Sequence, residues 1–280
     1  DRAALRAQLE RDVRSFAIDR PPLSPGWRQV QRDLAVRLKQ LGYATTRENF
    51  DDGGVNVIGL HPGARPDAEL VVVSAHYDHL PFCAGADDNA SGLAAVLAVA
   101  TALAGSASDR ALVIAFWDQE ETGLGGSAEF AQGLKRRGAK VRAMLSLDGV
   151  GFASDAPGSQ LAPEALGIVL PEMVKLLDEN GRRGNFLGVM GDQDSERVIA
   201  AFERAGKQAA LPIMGAALSK MSRAVLNDVA RSDHASFWFA GYPGVLVTDT
   251  ADFRNPHYHC GAGPDLPGTL DYDFLTRVAI

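Results

Sequence analysis

Four apolar runs constrain the fold of this 280-residue chain more than any other feature: ELVVVSAH (69–76), ALVIAFWD (111–118), VRAMLSLD (141–148) and GVLVTDT (244–250). They are continuous and rich in β-branched residues rather than alternating, the pattern of a strand covered on both faces. Helical spacing separates them. Helices are predicted over 89–105, 124–137, 164–180, 193–206, 232–240 and 269–280, and the alternating VNVIGLH (55–61) reads as a further strand. Upstream, Ala3, Leu5, Leu9, Val13 and Phe16 predict a helix over 3–17; after the PPLSPG break, Val30, Leu34, Leu38 and Leu41 predict another over 26–41. Such alternation specifies an α/β fold in three layers, a mostly parallel twisted central sheet with helices on both faces. No repeat, low-complexity tract or linker divides the chain. Residues 1–280 are therefore expected to form a single domain, with 1–41 as a helical segment packed on it.

Charge narrows the partners. Twenty-eight basic against 35 acidic residues give a net charge of −7, and no basic run marks a nucleic-acid or anionic-lipid surface. The apolar runs all break well short of the ~18 residues that a membrane span needs. Two cysteines, Cys83 and Cys260, are too few for a disulfide scaffold or a cysteine-only zinc site, though enough for one bridge.

The polar residues fall in one kind of place. SAHYDH, WDQEE and LSLDG end three of the buried runs, and TDTADFRNPHYH follows the fourth. In open α/β sheets ligands bind outside the carboxyl ends of the strands, so these clusters should meet in one crevice. Buried carboxylates without partners are too costly to keep. A metal site accounts for them, since carboxylates and imidazoles are the ligands of zinc and similar ions. Within WDQEE, Glu120 and Glu121 are neighbours on an extended segment and face opposite ways, so they are expected to do different work.

HYDH, GADDNASG, EETGLGGS, LD and NPHYH, in that order, resemble metallopeptidase family twenty-eight, which contains secreted bacterial zinc aminopeptidases, glutamate carboxypeptidase and, as a relative, glutaminyl cyclase. The resemblance covers roughly residues 54–280. It implies a zinc-peptidase catalytic domain holding two zinc ions, with His76, Asp88 and Asp148 on one and Asp88, Glu121 and His259 on the other. Asp88 would bridge them, with a cis peptide just after it. Asp78 resembles the carboxylate that orients His76, and Glu120 the general base that takes a proton from the attacking water and passes it to the leaving amine. The resemblance also places the SDH segment, with Asp233 and His234, in the substrate pocket, together with Tyr258. His257 and His259 share a face of an extended segment, and only the resemblance selects His259. His79 is expected to be a loop residue and His61 a surface strand end; Asp118 and Asp233 read equally as acids behind the ligands or as surface acids. Two departures bear on substrate: Cys260 replaces the usual threonine after the last ligand, and the loop between Asp78 and Asp88 is short.

The leading expectation is an exopeptidase, an aminopeptidase acting on peptide substrates. A single-zinc glutaminyl cyclase-like enzyme and a carboxypeptidase are the alternatives; a catalytically silent binding module, as in the transferrin receptor relative, would have lost ligands that are all present here. Substrate side chain and oligomeric state stay open. Cys83 lies five residues before Asp88, and Cys260 directly follows His259. Side chains sharing one ion bring their loops together, so a Cys83–Cys260 bridge is expected. Such a bridge implies an oxidising compartment, hence a secreted or periplasmic protein. This sequence shows no signal peptide, which a mature protein of that kind has lost, and its absence does not argue for a cytoplasmic home.

Overall fold

In the computed structural model, which describes residues 1–65 and 68–280, each of the four apolar runs becomes a central strand. The elements in chain order begin with α1 (Arg2–Phe16), α2 (Pro25–Gln40), β1 (Ala44–Asn49), β2 (Val55–His61) and β3 (Leu70–His76). A π turn (Ala86–Ser91) leads into α3 (Gly92–Leu103), followed by β4 (Ala111–Trp117), α4 (Gly125–Arg136) and β5 (Val141–Leu147). Then come α5 (Glu164–Val169), α6 (Pro171–Glu179), β6 (Leu187–Asp192), α7 (Glu196–Ala209), β7 (Ile213–Leu218) and α8 (Lys220–Val225). The chain closes with α9 (His234–Ala240), β8 (Val245–Thr248) and α10 (Tyr272–Val278).

One sheet holds all eight strands in the order β1-β2-β4-β3-β5-β8-β6-β7. The middle four run parallel; β2 is antiparallel to β4 and β6 to β8, so the sheet is mixed toward its edges. The continuous apolar runs are explained by two-sided burial. Val72 and Val113 face a core with Trp117, Phe130 and Phe237 from the β4, α4 and α9 side. Their neighbours Val73 and Ile114 face the opposite core, with Leu93 of α3, Phe274 of α10 and Leu9, Val13 and Phe16 of α1. Polar residues on either face would leave buried groups without partners. Among the described residues, no helix is long and apolar enough to cross a membrane.

Three strands were not expected from the sequence. β1 (ATTREN) is a mostly exposed polar edge strand and carries no apolar signal. β6 and β7 are short and rich in glycine and alanine, residues with little strand preference. Their small residues serve close packing: a Cβ on Gly215 would lie 2.5 Å from Ile199 Cγ2 of α7. The helix expected over 164–180 is two helices, because Pro171 pushes Leu170 out of the helical region, to φ −133° and ψ 61°.

Candidate metal centre

The carboxyl ends of β3, β4, β5 and β8 point the same way, and the loops that follow them supply the polar clusters. His76 is the last residue of β3, Asp148 directly follows β5, and Glu120 and Glu121 lie just beyond β4. Asp88 sits inside the π turn with non-helical φ −104° and ψ 95°, and the Asp88–Asn89 peptide is cis. His259 arrives on the long connection after β8, with φ 52°.

These side chains converge. His76 Nε2 lies 3.1 Å from Asp88 Oδ1 and 3.4 Å from Asp148 Oδ1. His259 Nε2 lies 3.1 Å from Asp88 Oδ2 and 3.1 Å from Glu121 Oε2. The two carboxylate oxygens of Asp88 thus serve two separate clusters. Among the described residues, neither Asp88 Oδ1 nor His259 Nε2 finds an aligned hydrogen-bond partner, although both are buried. A tetrahedral zinc with ligand bonds of ~2.0 Å separates its ligand atoms by about 3.3 Å, and the spacings here match that edge. The donor set is right for zinc, and the electrostatics ask for positive charge. Burial works against a charge on His259, but Asp88 and Glu121 prevail and lift its pKa to about 10. Burial likewise opposes protonation of His76, and Glu120 and Asp148 still raise it well above an ordinary imidazole. Asp88 is held well below the usual carboxylate range, because His259 and His76 overcome the effect of its burial. The residues fit a metal pair that shares Asp88.

The surroundings correct several expectations. Asp78 faces His76 Nδ1 with two groups, its carbonyl oxygen at 3.2 Å and its carboxylate at 3.6 Å. The carboxylate itself accepts the backbone N–H groups of Glu120 (3.1 Å) and Glu121 (3.3 Å), and so fixes the turn that carries both acids. That turn is also shaped by Gly126, where a Cβ would lie 2.6 Å from the Asp118 carbonyl oxygen. His79 does lie in a loop, but it is fully buried and its Nδ1 is 2.7 Å from Glu121 Oε1. It joins Asp88 and Glu121 as a third possible donor to the second cluster. The second histidine of HYDH was the available signal, and sequence spacing alone does not show its direction. Asp118 is buried, accepting from Trp27 Nε1 (2.8 Å) and the Val55 N–H (2.8 Å).

Beside the clusters opens a cavity of about 480 Å³ whose walls include Glu120, Glu121, Asp148, Leu161, Met190 and Tyr258. Burial pushes the Glu120 carboxyl well above the usual carboxylate range. Tyr258 stacks on His259, with ring centroids 3.8 Å apart, and receives a hydrogen bond from Arg231 at 3.3 Å. Of the three residues expected in the pocket, Tyr258 alone lines this cavity. His234 turns away into the core, with Nε2 2.6 Å from the Val229 carbonyl and its ring edge-on to Trp238. Asp233 is buried and does not line the cavity, and burial raises its carboxyl to about 7. Cys83 and Cys260 form a disulfide, with Cα atoms 5.9 Å apart, tying the loop after β3 to the turn that holds His259.

The model of peptidase family M28 matches residues 56–278. The chain belongs to family M28. This M28 chain is 31% identical to the uncharacterized protein YfbL of Escherichia coli (strain K12) over 227 residues, 76% of this chain and 64% of that one. It spans about half to two thirds of the length of the first curated relatives that it matches. Its fold is that of the LapA aminopeptidase of Legionella pneumophila, with TM-score 0.72 and 17% identity, covering 99% of this chain and 70% of that one. It is also similar in fold to the glutaminyl cyclase of Porphyromonas gingivalis, with TM-score 0.65 and 19% identity, covering 100% and 95%.

Proposed function

We propose that this chain is a two-zinc aminopeptidase that removes N-terminal residues from peptides, working as one catalytic unit. The observation that carries the reading is the pair of acid–imidazole clusters sharing Asp88 at the wall of an apolar cavity. His76, Asp88 and Asp148 would hold one ion, and Asp88, Glu121 and His259 the other, with His79 bracing Glu121. When bound, zinc supplies Lewis-acid activation of a carbonyl group and of water. Glu120 reaches the same cavity without belonging to either cluster. It takes the proton of the attacking water and delivers it to the departing amine, a task for which its place on the cavity wall beside both clusters suits it.

The lining favours an amine end over a carboxylate end. Glu120, Asp148, Asp228 and Asp252 face the cavity, and the guanidinium of Arg231 is already paired with Asp252 at 3.2 Å and Asp228 at 3.8 Å. Away from the two clusters, Asp228 and Asp252 outnumber Arg231, and the net negative charge they leave favours an ammonium group over a carboxylate. Leu161, Leu166, Leu177, Phe186, Met190 and Met214 give the rest of the wall a shape for a large apolar side chain. A cyclase reading is favoured by the near-complete mutual coverage with the glutaminyl cyclase fold. It fits the lining less well, because the amide nitrogen of Gln160 is spent on Leu161 and Thr250 and the neighbouring wall is apolar. The Cys83–Cys260 bridge supports a secreted or periplasmic site of action.

Leucyl-anilide and its N-acetylated form, each with and without a chelator, test the reading. The free amine should be hydrolysed, the acetylated form should not, and chelation should abolish the activity until zinc is returned. Cyclisation of N-terminal glutamine without anilide hydrolysis would replace this reading with the cyclase one.

A further inference from the structure

Arg20 lies in the connection between α1 and α2 and is fully buried. Among the described residues no carboxylate lies within ion-pair distance of it. Its guanidinium donates instead to six backbone carbonyls. Nη1 bonds Phe16 and Ile18 of its own segment, and also Ala84. Nε bonds Tyr77 at 2.9 Å, and Nη2 bonds Gly85 at 2.9 Å and Asp88 at 3.3 Å. Four of these acceptors belong to the β3–α3 connection, which has metal ligands at both ends: Tyr77 directly follows His76, and Ala84, Gly85 and Asp88 shape the turn that ends in the shared carboxylate. The same connection adds two bonds. The Arg20 carbonyl accepts the His79 N–H at 3.3 Å, and Asp19 Oδ1 accepts the Phe82 N–H at 2.6 Å.

The backbone of Asp88 needs such support, because it stands outside every strand and departs from helical geometry within its turn. Its N–H is accepted by Asp265 Oδ2 at 3.2 Å, and its C=O is the one that Arg20 grips. A carboxylate ligand is only as well aimed as the backbone it hangs from, so groups that fix ligands from behind govern metal affinity. A planar fork with five donors can reach carbonyls at both ends of that connection at once; a lysine offers three donors from a single point.

The geometry points to Arg20 as a positioning residue for the metal centre, through which a segment outside the family-matched stretch of residues 56–278 aligns Asp88 and the His76–His79 loop for zinc. This rests on the metal-centre reading above. The test is zinc affinity of the full chain by competition with a chromophoric chelator, for wild type, Arg20→Met and Arg20→Lys, each held well below its own Tm. Both variants should melt earlier. Arg20→Met should bind zinc at least about tenfold more weakly than wild type, with Arg20→Lys in between, the scale set by other groups that orient metal ligands. A folded Arg20→Met with a lower Tm and wild-type zinc affinity would show a merely structural role and overturn the inference. Wild-type protein that binds no zinc would overturn the metal-centre reading and this inference with it.

Should Arg20→Met fail to fold, hydrogen exchange on wild type decides, because coupling between the clamp and the metal is reciprocal. Stripping zinc should then speed exchange at the His79 amide and across residues 16–24, with α7 unchanged. Unaltered exchange in that segment would overturn the inference.

Discussion

Glu121 accepts from His79 and faces His259, whereas its neighbour Glu120 lines the cavity, so glutamine at the two positions should fail in different ways. Glu120→Gln keeps the shape of the wall and leaves both clusters intact; it should retain metal and lose about a hundredfold or more in turnover, the scale of a positioned proton-transfer group. Glu121→Gln should empty one site, seen as a drop in zinc content by elemental analysis. A Glu120→Gln protein that loses its metal would reverse these roles. The strand-end acids could be read from the sequence because burying them demands a partner. His79, Arg20 and Asp265 could not be read in the same way. Arg20 and Asp265 act on backbone carbonyls and amides more than 50 residues away, and no side-chain pattern marks such partners.

At the scale of elements, the turn holding His259 depends on a crosslink. His259 and Cys260 both adopt left-handed φ, 52° and 58°, which L-residues seldom populate. The disulfide to Cys83 holds that turn against the loop after β3. Replacing both cysteines with serine should cost about 2–5 kcal/mol of stability, measured by denaturant titration. Denatured, unreduced wild type should show no reactive thiol; two reactive thiols would remove the bridge and the case for export with it. The start of α9 carries a pH effect. His234 donates to the Val229 carbonyl, its other ring nitrogen is buried without a partner among the described residues, and burial lowers its pKa to about 3. The unfolded chain binds a proton there below about pH 6.5 and the folded chain does not, so stability from this group falls as pH drops through that window. Between about pH 7.5 and 4.5, wild type should lose roughly 2–3 kcal/mol more than His234→Gln does. Equal losses would show that His234 is not buried in its neutral form. The elements that escaped sequence reading were those whose signal is weak by nature: an exposed polar edge, β1, and two strands, β6 and β7, whose glycines and alanines allow α7 to lie close.

Across the whole molecule, parallel pairing of β4, β3, β5 and β8 gathers residues from positions 76 to 259 into one centre. Two-sided burial wrote that architecture into the sequence as continuous apolar runs, and for this reason the fold class and the polar strand ends were legible together. The walls of the cavity were less so, because Met190, Met214 and Leu161 are ordinary apolar residues until the chain folds. Arg231 and Tyr258, from separate connections, meet in its wall only in three dimensions. In the proposed centre Asp88 would serve two ions. Native mass spectrometry of zinc-saturated wild type measures this directly. Two zinc ions per chain, falling to one in Glu121→Gln, is the predicted result; saturation at a single ion in wild type would contradict the shared-carboxylate centre.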